Sequence, residues 1–300
     1  MNPRWGWLLG AGMLAALAWW VGTDAFVSGF RALDARTLAV GAALGVPITL
    51  ASAWRWRLVS RALGVELPLG RATAACYRSQ LLNCVLPGGV LGDVHRGLDH
   101  GRGVGDTSRG LRAVGWERTA GQVVQASAAV VVLALLPSPV RSSLTGVLAI
   151  LAAAVVVVLV LVRAWSALRA DLVGLLGRRT WPGVVATSLV AVAGLVSTYV
   201  VAARAVGVSA PLSTLVPLAM LVLVAAAVPT NLAGWGPREG MAAWAFAAAG
   251  LGADLGVATT VAFGVMVVVA ALPGAVVLLT GAFLSRPGWT PAETEVRSDA

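Results

Sequence analysis

Two short segments set Pro, Gly and Arg into strongly apolar surroundings at the same spacing. One is Pro87-Gly88-Gly89-Val90-Leu91-Gly92-Asp93-Val94-His95-Arg96; the other is Pro229-Thr230-Asn231-Leu232-Ala233-Gly234-Trp235-Gly236-Pro237-Arg238. In each, Gly follows Pro by five residues and Arg follows it by nine. Pro and Gly interrupt a helix and uncover backbone amides. Such amides, with a guanidinium beside them, suit an anion and phosphate above all. In the first segment Gly88, Gly89 and Gly92 supply the amides and Arg96 the fixed charge. Asp93 orients that arginine or repels a wrong ligand. The competing reading is an Asp93–Arg96 ion pair in a surface loop. In the second, Asn231, Gly234, Arg238 and Glu239 stand together, and Arg238 and Glu239 are the sole charges between Arg204 and Asp254. An isolated ionisable pair in an apolar stretch reads as functional; a structural Arg238–Glu239 pair is the alternative.

A third group, Trp116-Glu117-Arg118, opens the helix after a basic stretch. Its charges either end a span or face a cavity and pair with Asp93 or Arg238. His95, His100, Asp93 and Asp99 match no metal-ligand spacing, and no nucleotide loop, zincin motif or Ser-His-Asp arrangement is found. No metal, cofactor or nucleic acid is expected.

The elements that must carry these residues are membrane helices. Of 300 residues 58% are hydrophobic and 12% charged, and the mean hydropathy is +0.85. Uncharged runs recur at Trp5–Thr23, Thr37–Trp54, Thr119–Val140, Leu144–Val162, Pro182–Ala203, Ala205–Pro237 and Leu255–Ser285. Continuous runs of about 20 residues are spanning helices and exclude a barrel. The fold class is all-α, a polytopic integral membrane protein with about six full transmembrane helices plus two re-entrant or broken elements. One domain covers 1–285, its halves about 1–136 and 144–285, and 286–300 reads as a disordered cytoplasmic tail.

The net charge is +9, with Arg as the sole basic type apart from two His. Arg collects around 55–78, 93–118 and 163–181, read as loops, and is sparse around 24–36, 137–143 and 204–211. The positive-inside rule makes the first set and both termini cytoplasmic. Alternation then requires Ala72–Gly92 to enter and leave on one side. Ala205–Pro237 reads as a helix followed by a break, and Gly240–Ala253 is too short to cross, so a second element dips from the opposite face. This is an inverted-repeat pattern. Trp5, Trp7, Trp19, Trp20, Trp54, Trp56, Trp116 and Trp181 are assigned to the interfacial belt. Cys76 and Cys84 read as small buried side chains, and Gly101–Gly105 as a flexible loop.

The motifs resemble the lysylphosphatidylglycerol synthase transmembrane-region family, the membrane part of the bacterial multiple peptide resistance factor. The run Tyr77-Arg78-Ser79-Gln80-Leu81-Leu82-Asn83 leads into the Pro87–Arg96 motif, Glu117-Arg118 is followed by Gly121, and Pro229–Gly240 closes the set in the family's order. The resemblance implies a multi-pass protein of the bacterial plasma membrane that moves a phospholipid or lipid-linked head group. It adds Asn83 to the candidate residues. In a lipid transporter Arg96 and Arg238 would hold phosphate, and Asp93, Glu117 and Glu239 would hold an amine or balance the arginines when the cavity is empty. The chain ends soon after its last apolar run, so aminoacyl transfer is not expected. A membrane-embedded transferase, with Glu117 or Asp93 as base, is the second reading. The third is a non-catalytic partner of a separate synthase or glycosyltransferase, docking through Arg102–Arg118. The expected partners are a membrane lipid and either a second copy or a soluble synthase.

Overall fold

The computed structural model describes residues 23–86, 89–136, 163, 165–227 and 236–284. Two predicted spans, Trp5–Thr23 and Leu144–Val162, lie almost wholly outside these residues, as does the tail 286–300. Among the described residues every regular element is a helix. We number them α1 (Thr23–Arg31), α2 (Ala35–Ala62), α3 (Leu69–Val85), α4 (Leu91–Gly103), α5 (Thr107–Leu135), α6 (Ser166–Leu175), α7 (Trp181–Ala205), α8 (Leu212–Ala226), α9 (Pro237–Ala248), α10 (Ala253–Ala271) and α11 (Pro273–Leu284). Among the described residues four stretches are long and apolar enough to cross a membrane: α2, α5, α7, and Ala253–Thr280 across α10 and α11. Val131, Leu135, Val276 and Leu279 are exposed on these helices, as lipid-facing side chains must be.

Helices run further than their apolar stretches because local chemistry extends them. At the start of α2, Asp34 accepts the Thr37 amide at 2.7 Å, and at the start of α5, Asp106 accepts the Arg109 amide at 2.9 Å. Both are side-chain N-caps. α5 has 29 residues, about 43 Å of helix, so its polar end stands beyond a hydrocarbon core of about 30 Å. This corrects the loop assignments at 93–118 and 163–181, which hold α4, the first turns of α5, and α6. Within the predicted loop Gly101–Gly105, the first three residues are the last turn of α4. The turn itself needs only Gly105, at φ +73°.

Each broken element is a pair of half-helices. α3 and α4 face each other across residues 86–90, and α8 and α9 across 227–236. The first element therefore extends to Gly103 rather than ending at Gly92. Each pair is held between a preceding and a following span: α3 on α2 and α4 on α5, then α8 on α7 and α9 on α10. Across the halves, α2 packs on α7 and α10, α7 packs on α5, α3 on α10, and α8 on α5. The contact pattern among these eight helices is unchanged when α2–α5 is exchanged with α7–α10. α2 and α7 run antiparallel: Gly183 lies by Leu58, Ser188 by Arg55, and Gly194 by Ile48. A twofold that carries a helix onto an antiparallel one is perpendicular to it. The exchangeable contact pattern and the antiparallel α2 and α7 are what an inverted repeat requires.

Close approach of α4 to α5 depends on missing side chains. A Cβ on Gly110 would overlap the Gly97 carbonyl and the Gly101 backbone. Small residues permit such backbone contact in lipid. Gly110→Val is expected to destabilise the protein by about 1–3 kcal/mol through overpacking. Gly115→Ala, with open space around its Cβ position, leaves stability unchanged. Thermal unfolding of the two variants in detergent checks the pair.

Candidate functional site

The first break is anchored by an ionic network. Asp93 and Arg96 lie on one face of α4, three residues apart, and Arg96 Nη2 meets Asp93 Oδ1 at 2.9 Å. The same nitrogen reaches Glu117 Oε2 of α5 at 3.0 Å. The other Glu117 oxygen accepts from Arg55 of α2, from Nε at 2.8 Å and from Nη2 at 2.5 Å. Arg118 Nη2 lies 2.8 Å from both Asp93 oxygens. Ser79 and Asn83 of α3 donate to Asp93 at 2.7 and 3.0 Å, and Arg55 Nη1 donates to Ser188 of α7 at 3.3 Å. Below, the Trp56 ring stacks 4.5 Å from the Arg96 guanidinium, while Arg96 Nη1 donates to Cys76 Sγ at 3.1 Å. A desolvated cation over an indole is worth about 2 kcal/mol.

Backbone geometry holds this assembly in register. The Gly92 amide donates to Asn83 Oδ1 at 2.8 Å, and a Cβ on Gly92 would overlap the Ser79 carbonyl. Gly92 therefore lets α4 lie against α3, which brings Asp93 to Ser79 and Asn83.

The second break ends in a helix start. Pro237 occupies the first turn of α9, where its missing N–H costs nothing. Gly236 precedes it at φ +122°, a region open to glycine. Glu239 accepts the Gly236 amide at 2.6 Å and pairs with Arg238, whose Nη2 lies 2.8 Å from Glu239 Oε1. Arg238 also lies over the Phe263 ring of α10, at 5.5 Å.

Between the two breaks lies a cavity of about 680 Å³. Its charged lining is Arg55, Asp93, Arg118 and Arg238; Asn83, Gln80, Gln122 and Gln125 add amides, and α7 and α10 give a largely apolar wall. The structure thus brings Asn83, Gly89, Asp93, Arg118 and Arg238 to one hollow. Glu117 and Glu239 stand behind it, at 1% and 0% exposure. Gly88, Asn231 and Gly234 lie outside the described residues. Arg96 departs from its expected place: it is 2% exposed, does not line the cavity, and is enclosed by Asp93, Glu117 and Trp56. Beside it, Arg118 does line the cavity, with its side chain 45% exposed. The two motifs are also not equivalent in register. Arg96 is the sixth residue of α4, whereas Arg238 is the second of α9.

Three participants were not read from sequence. Arg55 looked like the first charge of a loop, but α2 continues to Ala62 and buries it. Trp56 and Trp116 were assigned to the interfacial belt. Trp56 is 1% exposed beneath Arg96, and Trp116 is buried with its Nε1 donating to Asp171 at 3.1 Å. Trp54 and Trp181 are exposed, as a belt position requires. The available signal was the close spacing of Arg55, Arg57 and Arg61, which places successive charges on different faces of one helix.

A family model described as the lysylphosphatidylglycerol synthase TM region matches residues 7–274. Neither the curated proteins nor the solved structures gave a match.

Removing one partner from a buried pair leaves an uncompensated charge, at about 3–5 kcal/mol. Glu117→Gln, which removes the charge shared by Arg55 and Arg96 and replaces one accepting oxygen with a donating NH2, is expected to lose that much stability. Arg118→Gln, at a half-exposed position, loses about 1 kcal/mol or less. Chemical or thermal unfolding in micelles separates the two.

Proposed function

The chain belongs to the lysylphosphatidylglycerol synthase TM region family, and on that premise we propose that it moves a phospholipid or lipid-linked head group across the membrane. The observation that carries this reading is the cavity between the two broken elements, lined both by Arg118 and Arg238 and by apolar side chains of α7 and α10. A head group in hydrocarbon loses its hydration at a cost of several kcal/mol. Fixed guanidinium and amide donors replace those lost hydrogen bonds, and charge-assisted bonds to phosphate are the strongest of the set. The apolar wall, which includes Leu195, Phe263 and Val267, leaves acyl chains in contact with surfaces like lipid.

Orientation follows from the arginines. Arg57, Arg61, Arg71, Arg102, Arg109 and Arg112 gather where α2 and α4 end and α3 and α5 begin. The positive-inside rule makes that end cytoplasmic, in a plasma membrane. The network of Arg55, Asp93, Arg96 and Glu117 then lies toward the cytoplasmic side of the cavity. In this reading the buried carboxylates position arginines and are not bases, which supports transport over transfer chemistry.

Reconstitution into liposomes with fluorescent phospholipids tests the proposal. The unmodified chain is expected to speed exchange between leaflets. Arg118→Gln and Arg238→Gln each reduce that rate about tenfold, equivalent to about 1.4 kcal/mol of lost head-group stabilisation. Exchange no faster than in protein-free liposomes, or chemical conversion of the lipid, sinks the proposal.

A further inference from the structure

We infer that the cavity selects a lipid whose phosphodiester is not balanced by an ammonium group, so that the head group is net negative; this deepens the transport reading and rests on it for the identity of the site. Two observations carry the inference. The first is charge. Four arginines, Arg55, Arg96, Arg118 and Arg238, stand at or directly behind the cavity against three carboxylates, Asp93, Glu117 and Glu239. One positive charge is left over, and one phosphodiester cancels it.

The second observation is acceptor saturation. An ionised carboxylate offers about four lone-pair sites. Asp93 takes Ser79, Asn83, Arg96 and Arg118. Glu117 takes two nitrogens of Arg55 and one of Arg96, and is buried behind them. Glu239 takes Arg238 and the Gly236 amide and is fully buried. Among the described residues, no carboxylate at the site is left to receive an ammonium group. An amine entering the hollow would meet neutral amides, the already occupied Asp93 carboxylate and three guanidinium groups of its own sign, those of Arg55, Arg118 and Arg238, a repulsive device that excludes the wrong ligand. The amides and hydroxyls of Gln80, Gln122, Ser52 and Thr198 on the wall suit a glycerol or sugar hydroxyl instead.

The test is binding by the purified full chain in detergent, measured by native mass spectrometry with lipids at equal mole fraction. Phosphatidylglycerol, net negative, is expected to bind about tenfold more tightly than cationic lysylphosphatidylglycerol, a ratio worth about 1.4 kcal/mol. Zwitterionic phosphatidylcholine falls between them. Gln122→Glu adds a carboxylate at an exposed cavity position, cancels the surplus charge and narrows or reverses the ratio. Equal binding of all lipids, tighter binding of the cationic one, or no binding overturns the inference. So does soluble glycerophosphoglycerol binding as tightly as the lipid, which would make the ligand a free phosphodiester. Preferential binding without exchange between leaflets would remove the transport reading and leave this one standing. Exchange of the cationic lipid at the same rate would do the reverse.

Discussion

The structure depends on where two carboxylates, Asp93 and Glu117, find their counter-charges. Each is taken almost completely out of water, a step that costs several kcal/mol per ion before any pairing. Close geometry with further hydrogen bonds is what offsets that cost, so the partners cannot be placed loosely. Arg55 comes from α2, Ser79 and Asn83 from α3, Asp93 and Arg96 from α4, Glu117 and Arg118 from α5, and Ser188 from α7. Five helices therefore share one network, and the position of the short helix α4 is a consequence of it. With α4 fixed, the wall of the cavity formed by Asp93 and Val94 is fixed as well.

The two halves share their helix contacts but not their chemistry. α4 lies against α5 and α9 against α10 in the same order, with Gly110 in one contact and Gly256 in the other. In the first half Asp93 lies in the first turn of α4 and Arg96 in the second, and both pair with side chains of neighbouring helices. In the second, Glu239 closes on Arg238 and Gly236 within the first turn of α9. The charged side of the cavity is thus held by long-range pairs at one break and by a helix cap at the other.

Much of this was legible in the sequence. The Pro and Gly clusters announced both breaks, and the isolation of Arg238 and Glu239 marked the second as polar machinery. Asp93, Arg118 and Asn83, all named from sequence, line one hollow. What could not be read was depth. The length of an apolar run measures the hydrocarbon zone, not the helix. Arg55 and Trp56 therefore looked like loop and interface residues, whereas α2 carries them one to two turns inside its end. The equal spacing of Arg96 and Arg238 from proline suggested equal roles. The following helices start at different distances from the proline, however, α4 four residues after Pro87 and α9 eight residues after Pro229, so the same spacing lands at different points of the helix.

The same polar groups make the breaks tenable and give the cavity its character. In hydrocarbon an unpaired backbone group costs several kcal/mol, and irregular backbone survives only against protein or a wet cavity. Asn83 of α3 accepts the Gly92 amide across the first break, and Gln125 of α5 donates to the Leu223 carbonyl in the last turn of α8. Both side chains also line the hollow. A chain that breaks two helices in a bilayer must bring amides to the broken ends. Those amides, gathered around surplus arginine charge, form an interior in which a polar group costs less than in the surrounding lipid.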